Sequence, residues 1–296
     1  MKARLTKPIR WPAPIARLTV AAALLAAPAG SRADTIYVSN YGHNNIMRYT
    51  PDGHGSVFAG TGQYPYGIAF DGAGNLYVAV TGAIQKLAPD GTASTFATIA
   101  QPTGLAFDAA GNLYAVNLYA NTIDKYTPDG NRSIFASGGI RYAFGLAFDP
   151  AGNLYAASWG DNTIRKFTPG GVGSVFASTG SGGPIGLAFD RAGSLYATYS
   201  KGNSIVKFTA AGVGSVFANT GLNAPQGLAF DSVGNLYVAN YSGNSIQKFT
   251  PNGVGSVFAS GADLFGPEFI AIQIPEPSTW ALLALAFPAL LAFRRP

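Results

Sequence analysis

An all-β fold, a six-bladed propeller built from four-stranded antiparallel blades, is predicted by three features of the sequence. One unit recurs along most of the chain, each copy holds four short β-forming segments, and fragments at the two ends of the repeat region add up to one more unit. The motif Gly-Leu/Ile-Ala-Phe-Asp begins at Gly67, Gly104, Gly145, Gly186 and Gly227, at intervals of 37, 41, 41 and 41 residues.

Within a unit the segments follow in order. The Gly-Leu/Ile-Ala-Phe run is the first strand. A turn such as Asp149-Pro150-Ala151-Gly152-Asn153 follows, with Asp placed to bind backbone amides and Gly where positive φ is wanted. The second strand carries Leu-Tyr, with Tyr77, Tyr114, Tyr155, Tyr196 and Tyr237 in register. An Ile-x-Lys-aromatic-like third strand starts at Ile84, Ile123, Ile164, Ile205 and Ile246. A type I turn such as Thr127-Pro128-Asp129-Gly130 leads to the fourth strand, Ser-x-Phe-Ala, whose rings are Phe96, Phe135, Phe176, Phe217 and Phe258. No segment shows a helical apolar stripe.

Five units span about residues 64–260. Thr35 to Asn40, Ile46 to Gly53 and Ser56 to Ala59 supply the second, third and fourth strands of another, and Gly266 to Ile272 supplies its first. A split blade therefore closes the ring. The repeat resembles the NHL family and its relatives over roughly residues 34–272. That resemblance implies six blades and leaves activity open, because such propellers include binding modules, lactonases and lyases.

Charge is divided by region. Residues 1–33 carry Lys2, Arg4, Lys7, Arg10, Arg17 and Arg32 and no acid, while 34–293 hold 11 basic residues against all 14 acids. The repeat region has no basic cluster, which argues against a nucleic-acid partner. With no cysteine in the chain, disulfides, thiol catalysis and cysteine-held metals are excluded. The basic start, the apolar run Leu18 to Ala27 and Ser31-Arg32-Ala33 read as a signal peptide over 1–33, cleaved between Ala33 and Asp34.

At the other end Pro275, Glu276 and Pro277 precede an apolar run from Trp280 to Phe293, then Arg294 and Arg295. Fourteen helical residues reach only about 21 Å, against a hydrocarbon core of about 30 Å. The run suits a transient membrane stop with its arginines on the cytoplasmic side. A plain anchor helix is the alternative. Residues 274–296 resemble the PEP-CTERM sorting signal of Gram-negative bacteria. The resemblance implies an exosortase-type processing enzyme as partner, membrane contact through the C-terminal helix, and export to the cell surface, outer membrane or an extracellular matrix. The domain plan is therefore signal 1–33, propeller 34–273 and sorting segment 274–296.

The turn face of the propeller is uniform, so the repeated Asp71, Asp108, Asp149, Asp190 and Asp231 read as turn formers rather than calcium ligands. The opposite face carries rings and amides: Asn40, Tyr41, Asn117, Tyr119, Trp159, Tyr199, Asn240 and Tyr241, with Tyr64, Tyr66, Arg141, Tyr142, Phe144, Gln226 and Phe265 on interblade loops. Rings beside amides suit a polysaccharide or protein ligand. The same rings could instead pack between blades and cap the channel.

No catalytic residue, metal site or cofactor is expected. His43 and His54 fall on opposite faces, Glu268 and Glu276 are the only glutamates, and no carboxylate cluster is apparent. Lyase relatives use a His and acid set near a metal, and no such set assembles here. The leading expectation is a non-enzymatic, exported binding or structural module. A metal-dependent lactonase- or lyase-like enzyme at the channel mouth is the alternative, and a protease-resistant surface filler the third.

Overall fold

The computed structural model describes residues 34–180 and 182–274. Ala33, the rest of the predicted signal, the Pro275-Glu276-Pro277 motif and the apolar run after it lie outside the described residues. Among the described residues no helix is long and apolar enough to cross a membrane.

The described chain forms six four-stranded antiparallel sheets. Five are continuous in sequence and open with the strands Pro65–Phe70, Pro102–Phe107, Ala143–Phe148, Pro184–Phe189 and Pro225–Phe230. The sixth, the seam blade, runs Pro267–Gln273, Thr35–Asn40, Asn45–Tyr49 and Gly55–Gly60 from inside to outside. Val38 pairs with Ile270 and Ile36 with Ile272, so the two ends of the propeller meet in one sheet. Each opening strand also packs on the opening strand of the next blade, and the seam strand Pro267–Gln273 touches both Pro225–Phe230 and Pro65–Phe70. The ring is closed, and no blade is left with an open interblade face.

Why the motif starts with glycine follows from that contact. A Cβ on Gly67, Gly104, Gly145 or Gly186 would run into the carbonyl oxygen of Thr103, Phe144, Ile185 or Gln226 on the adjacent blade. The opening strands can crowd around the axis only because these positions lack a side chain. Second-strand residues such as Leu76 to Val80 and Leu154 to Ser158 are buried on both faces, as expected for strands covered by blades on either side.

Between blades the repeated rings meet edge to face. Tyr114 sits 4.9 Å from Phe135 and 5.0 Å from Phe148, and Tyr155 and Tyr196 repeat that geometry with Phe176, Phe189, Phe217 and Phe230. Lys125, Lys166 and Lys207 lie over those tyrosines, 5.1–5.4 Å from the ring centres. The turn aspartates do what their spacing implies. Asp149 Oδ1 accepts the amides of Ala151 and Asn153, and Oδ2 accepts Asn153 Nδ2. Asp71, Asp108 and Asp231 repeat the set, and Asp190 keeps the amide of Ser194.

The glycine constraint can be measured. Gly104→Ala should cost about 3 kcal/mol, as overpacking against backbone does. Gly72→Ala, whose Cβ meets nothing within 4 Å, should fall within about 0.5 kcal/mol of the parent. Denaturant midpoints of the two variants check this, and equal midpoints contradict it.

Candidate functional site

On the loop face an asparagine clasp recurs that sequence reading did not single out. Asn121, Asn162, Asn203 and Asn244 take the left-handed conformation at φ 43° to 53°. Their side-chain oxygens accept the amides of Tyr142, Gly183, Ala224 and Gly266, tying one blade's loop to the next interblade loop. The signal was present in the constant 41-residue spacing of these asparagines. The seam-blade copy, Asn44, has the same backbone at φ 53° but its side-chain oxygen is buried without a partner.

The asparagines expected to meet a ligand are differently occupied. Asn40 is fully buried. Its Nδ2 donates to the Asp263 carbonyl and to Asn45 Oδ1, and its Oδ1 accepts the Phe265 amide. Asn240 donates to the Gly221 carbonyl and accepts the Asn223 amide. Both act as loop anchors, their polar edges facing backbone. Asn117 is buried too, with an unpartnered side-chain oxygen. Tyr199 is buried, and burial pushes its phenol well above the ordinary tyrosine range, so it offers no ring for stacking at the surface. Tyr119 is 70% exposed.

Other rings do converge. Tyr41 stacks on Tyr64 at 4.7 Å and 20°, meets Tyr66 edge-on at 5.5 Å, and lies 6.1 Å from Tyr241. Four tyrosines from three blades thus gather at the seam. Trp159 belongs to a separate group, edge-on to Phe144 at 6.5 Å with Lys201 Nζ 5.1 Å from its ring centre.

The seam also places an acid at the channel mouth. The residues next to the start of the opening strands are Tyr66, Thr103, Phe144, Ile185, Gln226 and Glu268. Five are uncharged. Glu268 is 9% exposed, and burial alone pushes its carboxyl up to about 8. After burial, Glu268 is among the causes that raise two of the tyrosines. Tyr66 is raised mainly by burial, then by Tyr41 and by Glu268. Tyr241 is raised by burial, then by Glu268 and Tyr41. Sequence reading put Glu268 in the closing strand and attached no role to it, because a lone acid has no motif until the ring brings the tyrosines to it.

The two histidines stay apart from this cluster's chemistry. His43 Nδ1 lies 3.2 Å from the Asp263 carbonyl at the exposed rim, and His54 pairs with Asp52 at 3.5 Å in a third-to-fourth turn. Ser158 hydrogen-bonds Asp161, with no imidazole beside it. A cavity of about 350 Å³ lies away from the mouth, between the outer strands of the fifth and seam blades, lined by Met47, Tyr49, Phe258 and Leu264 among others.

The model of the virginiamycin B lyase family matches residues 54–263. The chain belongs to the virginiamycin B lyase family. A chain in a nidogen/laminin complex superposes with a TM-score of 0.73 at 19% identity, covering 81% of this chain and 98% of that one. A catalytically inactive virginiamycin B lyase from Staphylococcus aureus with quinupristin gives 0.64 at 17%, covering 81% and 88%. A protein of unknown function from Bacteroides caccae gives 0.64 at 16%, covering 82% and 100%. At these identities the likeness is one of fold. No curated protein matches the chain.

In this member of the virginiamycin B lyase family, no three His, Cys, Asp or Glu side chains among the described residues gather closely enough to hold a metal ion. A resident metal held by imidazoles and carboxylates does not fit the side chains at the mouth, and no reaction step is derived through one. What the mouth offers is a tyrosine cluster at the seam and one nearly buried carboxyl in the seam strand.

Burial of Glu268 makes a signed prediction for stability. Its folded value near 8 stands above the ordinary 4.5, so the fold loses stability as pH rises from about 4.5 to 8, by about 5 kcal/mol at most. Glu268→Gln should raise the denaturant midpoint clearly at pH 8 and leave it nearly unchanged at pH 4. A difference that does not vary with pH contradicts the assignment.

Proposed function

We propose that the protein is an exported, non-enzymatic binding module of the virginiamycin B lyase family, taking its ligand at the loop-face mouth beside the seam. The observation that carries this reading is the convergence of Tyr41, Tyr64, Tyr66 and Tyr241 at the seam where the strand of Glu268 begins, while His43 and His54 lie against the Asp263 carbonyl and Asp52. Rings of this kind supply binding surface. Acid–base or nucleophilic turnover calls for a second positioned group.

Export is the sequence's contribution. The basic-apolar-small start and the Pro275-Glu276-Pro277, apolar, arginine order of the tail support passage across the inner membrane. They support sorting by an exosortase-type enzyme to the cell surface, the outer membrane or an exopolysaccharide matrix. Mass spectrometry of the protein recovered from outside the cell tests both ends. The reading expects a first residue of Asp34 and loss of the tail after the Pro-Glu-Pro motif; an intact start contradicts it.

Family membership favours a second reading, a lyase- or lactonase-like activity at the same mouth, with the protonated Glu268 as its proton donor. Incubation with quinupristin, the compound bound by the Staphylococcus aureus lyase, separates the two. A binding module leaves its mass and chromatographic mobility unchanged over hours, and conversion that disappears in Glu268→Gln establishes the second reading instead. For binding itself, polysaccharide or protein retained by the wild-type chain should be lost on Tyr41→Ala plus Tyr241→Ala, and retention by that double variant contradicts the mouth as the surface.

A further inference from the structure

We propose that Glu268 and the tyrosines around it form a one-acid aromatic cage for an organic ammonium group. This rests on the reading that the loop-face mouth beside the seam is the binding surface, and it names the ligand chemistry of that surface.

Three observations carry it. First, the acid is not needed by the fold. The equivalent positions in the five continuous blades are Tyr66, Thr103, Phe144, Ile185 and Gln226, and those blades form without a charge there. Second, Glu268 lacks the partners that the other buried acids have. Asp124 is fully buried and is held by Arg132 Nη2 at 2.8 Å and by Thr122. Asp231 holds the Val233 and Asn235 amides and Asn235 Nδ2. No Lys, Arg or His among the described residues forms an ion pair with Glu268. Burial is the cause of its raised titration. Third, three ring systems gather where its strand begins: the Tyr41 amide donates to the Gly266 carbonyl two residues before Glu268, Tyr241 packs on Gly266, and Tyr41 contacts both Tyr241 and Tyr66, the residue at the equivalent position of the next blade.

A buried carboxyl without a counter-charge is unfavourable and calls for a cation or a proton. A neutral sugar supplies hydrogen bonds and apolar faces but leaves the charge uncompensated. A substituted ammonium supplies the charge, and its alkyl groups suit the electron-rich faces of tyrosine rings in a site screened from water. A metal ion is disfavoured, because one carboxyl cannot furnish the several oxygen ligands a hard cation takes. In the empty site Glu268 holds a proton near neutral pH, and the incoming cation displaces it.

The test is calorimetric titration of the full chain with choline and with its neutral isostere 3,3-dimethyl-1-butanol. Choline should bind saturably in the millimolar range or tighter, and the isostere at least about tenfold more weakly. Glu268→Gln should lower choline affinity by about tenfold or more without changing the isostere. Tyr41→Ala should weaken both ligands, with circular dichroism establishing that each variant is folded. Equal binding of the two probes, no loss in Glu268→Gln, or no choline binding overturns the cage. If choline fails while polysaccharide or protein ligands are still retained through Tyr41 and Tyr241, the cage alone is wrong. If those ligands fail as well, the mouth itself is wrong.

Discussion

The contact between neighbouring opening strands governs the rest of this structure. Six strands must meet around one axis, and at five junctions a glycine lies directly against the next blade's backbone. Everything outward depends on that approach. It sets the distance at which Tyr114, Tyr155 and Tyr196 can each meet two phenylalanines edge-on. It also sets the span that each loop-face asparagine bridges to the following interblade loop. Hydrophobic burial drives the blades together, but the missing Cβ decides how closely they seat.

At the seam these regularities lapse together. Phe269 stands where the continuous blades have glycine, and its amide and carbonyl are both tied to the Ser39 hydroxyl. Glu268 replaces an uncharged residue. Asn44 keeps the left-handed turn but not its acceptor's partner. A ring closed by the two ends of the repeat region needs one blade assembled from distant segments, and that blade is freest to depart from the unit. The tyrosine cluster gathers on its loops. Unusual charge and ring convergence therefore share one sector.

Much of the fold was legible in the sequence because the repeat announces strands, turns and closure at fixed spacing. The Asp149 turn and the pairing of Thr35–Asn40 with Pro267–Gln273 follow from pattern alone. The site was less legible. Asn40 and Asn240 look like ligand contacts in one dimension, yet their amides secure the loops of Asp263 and Phe265, and of Gly221 and Asn223. Tyr199 ends a strand in the same way as its neighbours but is turned into the core. Glu268 carries no local motif, and its setting exists only after residues more than two hundred positions apart come together. Side-chain direction at strand ends and long-range proximity are what periodicity does not encode.

Native-state hydrogen exchange of the seam tests the central claim most directly. A closed ring predicts that amides of Thr35–Asn40 and of Pro267–Gln273 exchange as slowly as those of Leu154–Ser158 in a continuous blade, all through global unfolding. Fast exchange confined to the two seam strands would show an arc whose ends do not hold each other, and would contradict both the closure and the site built upon it.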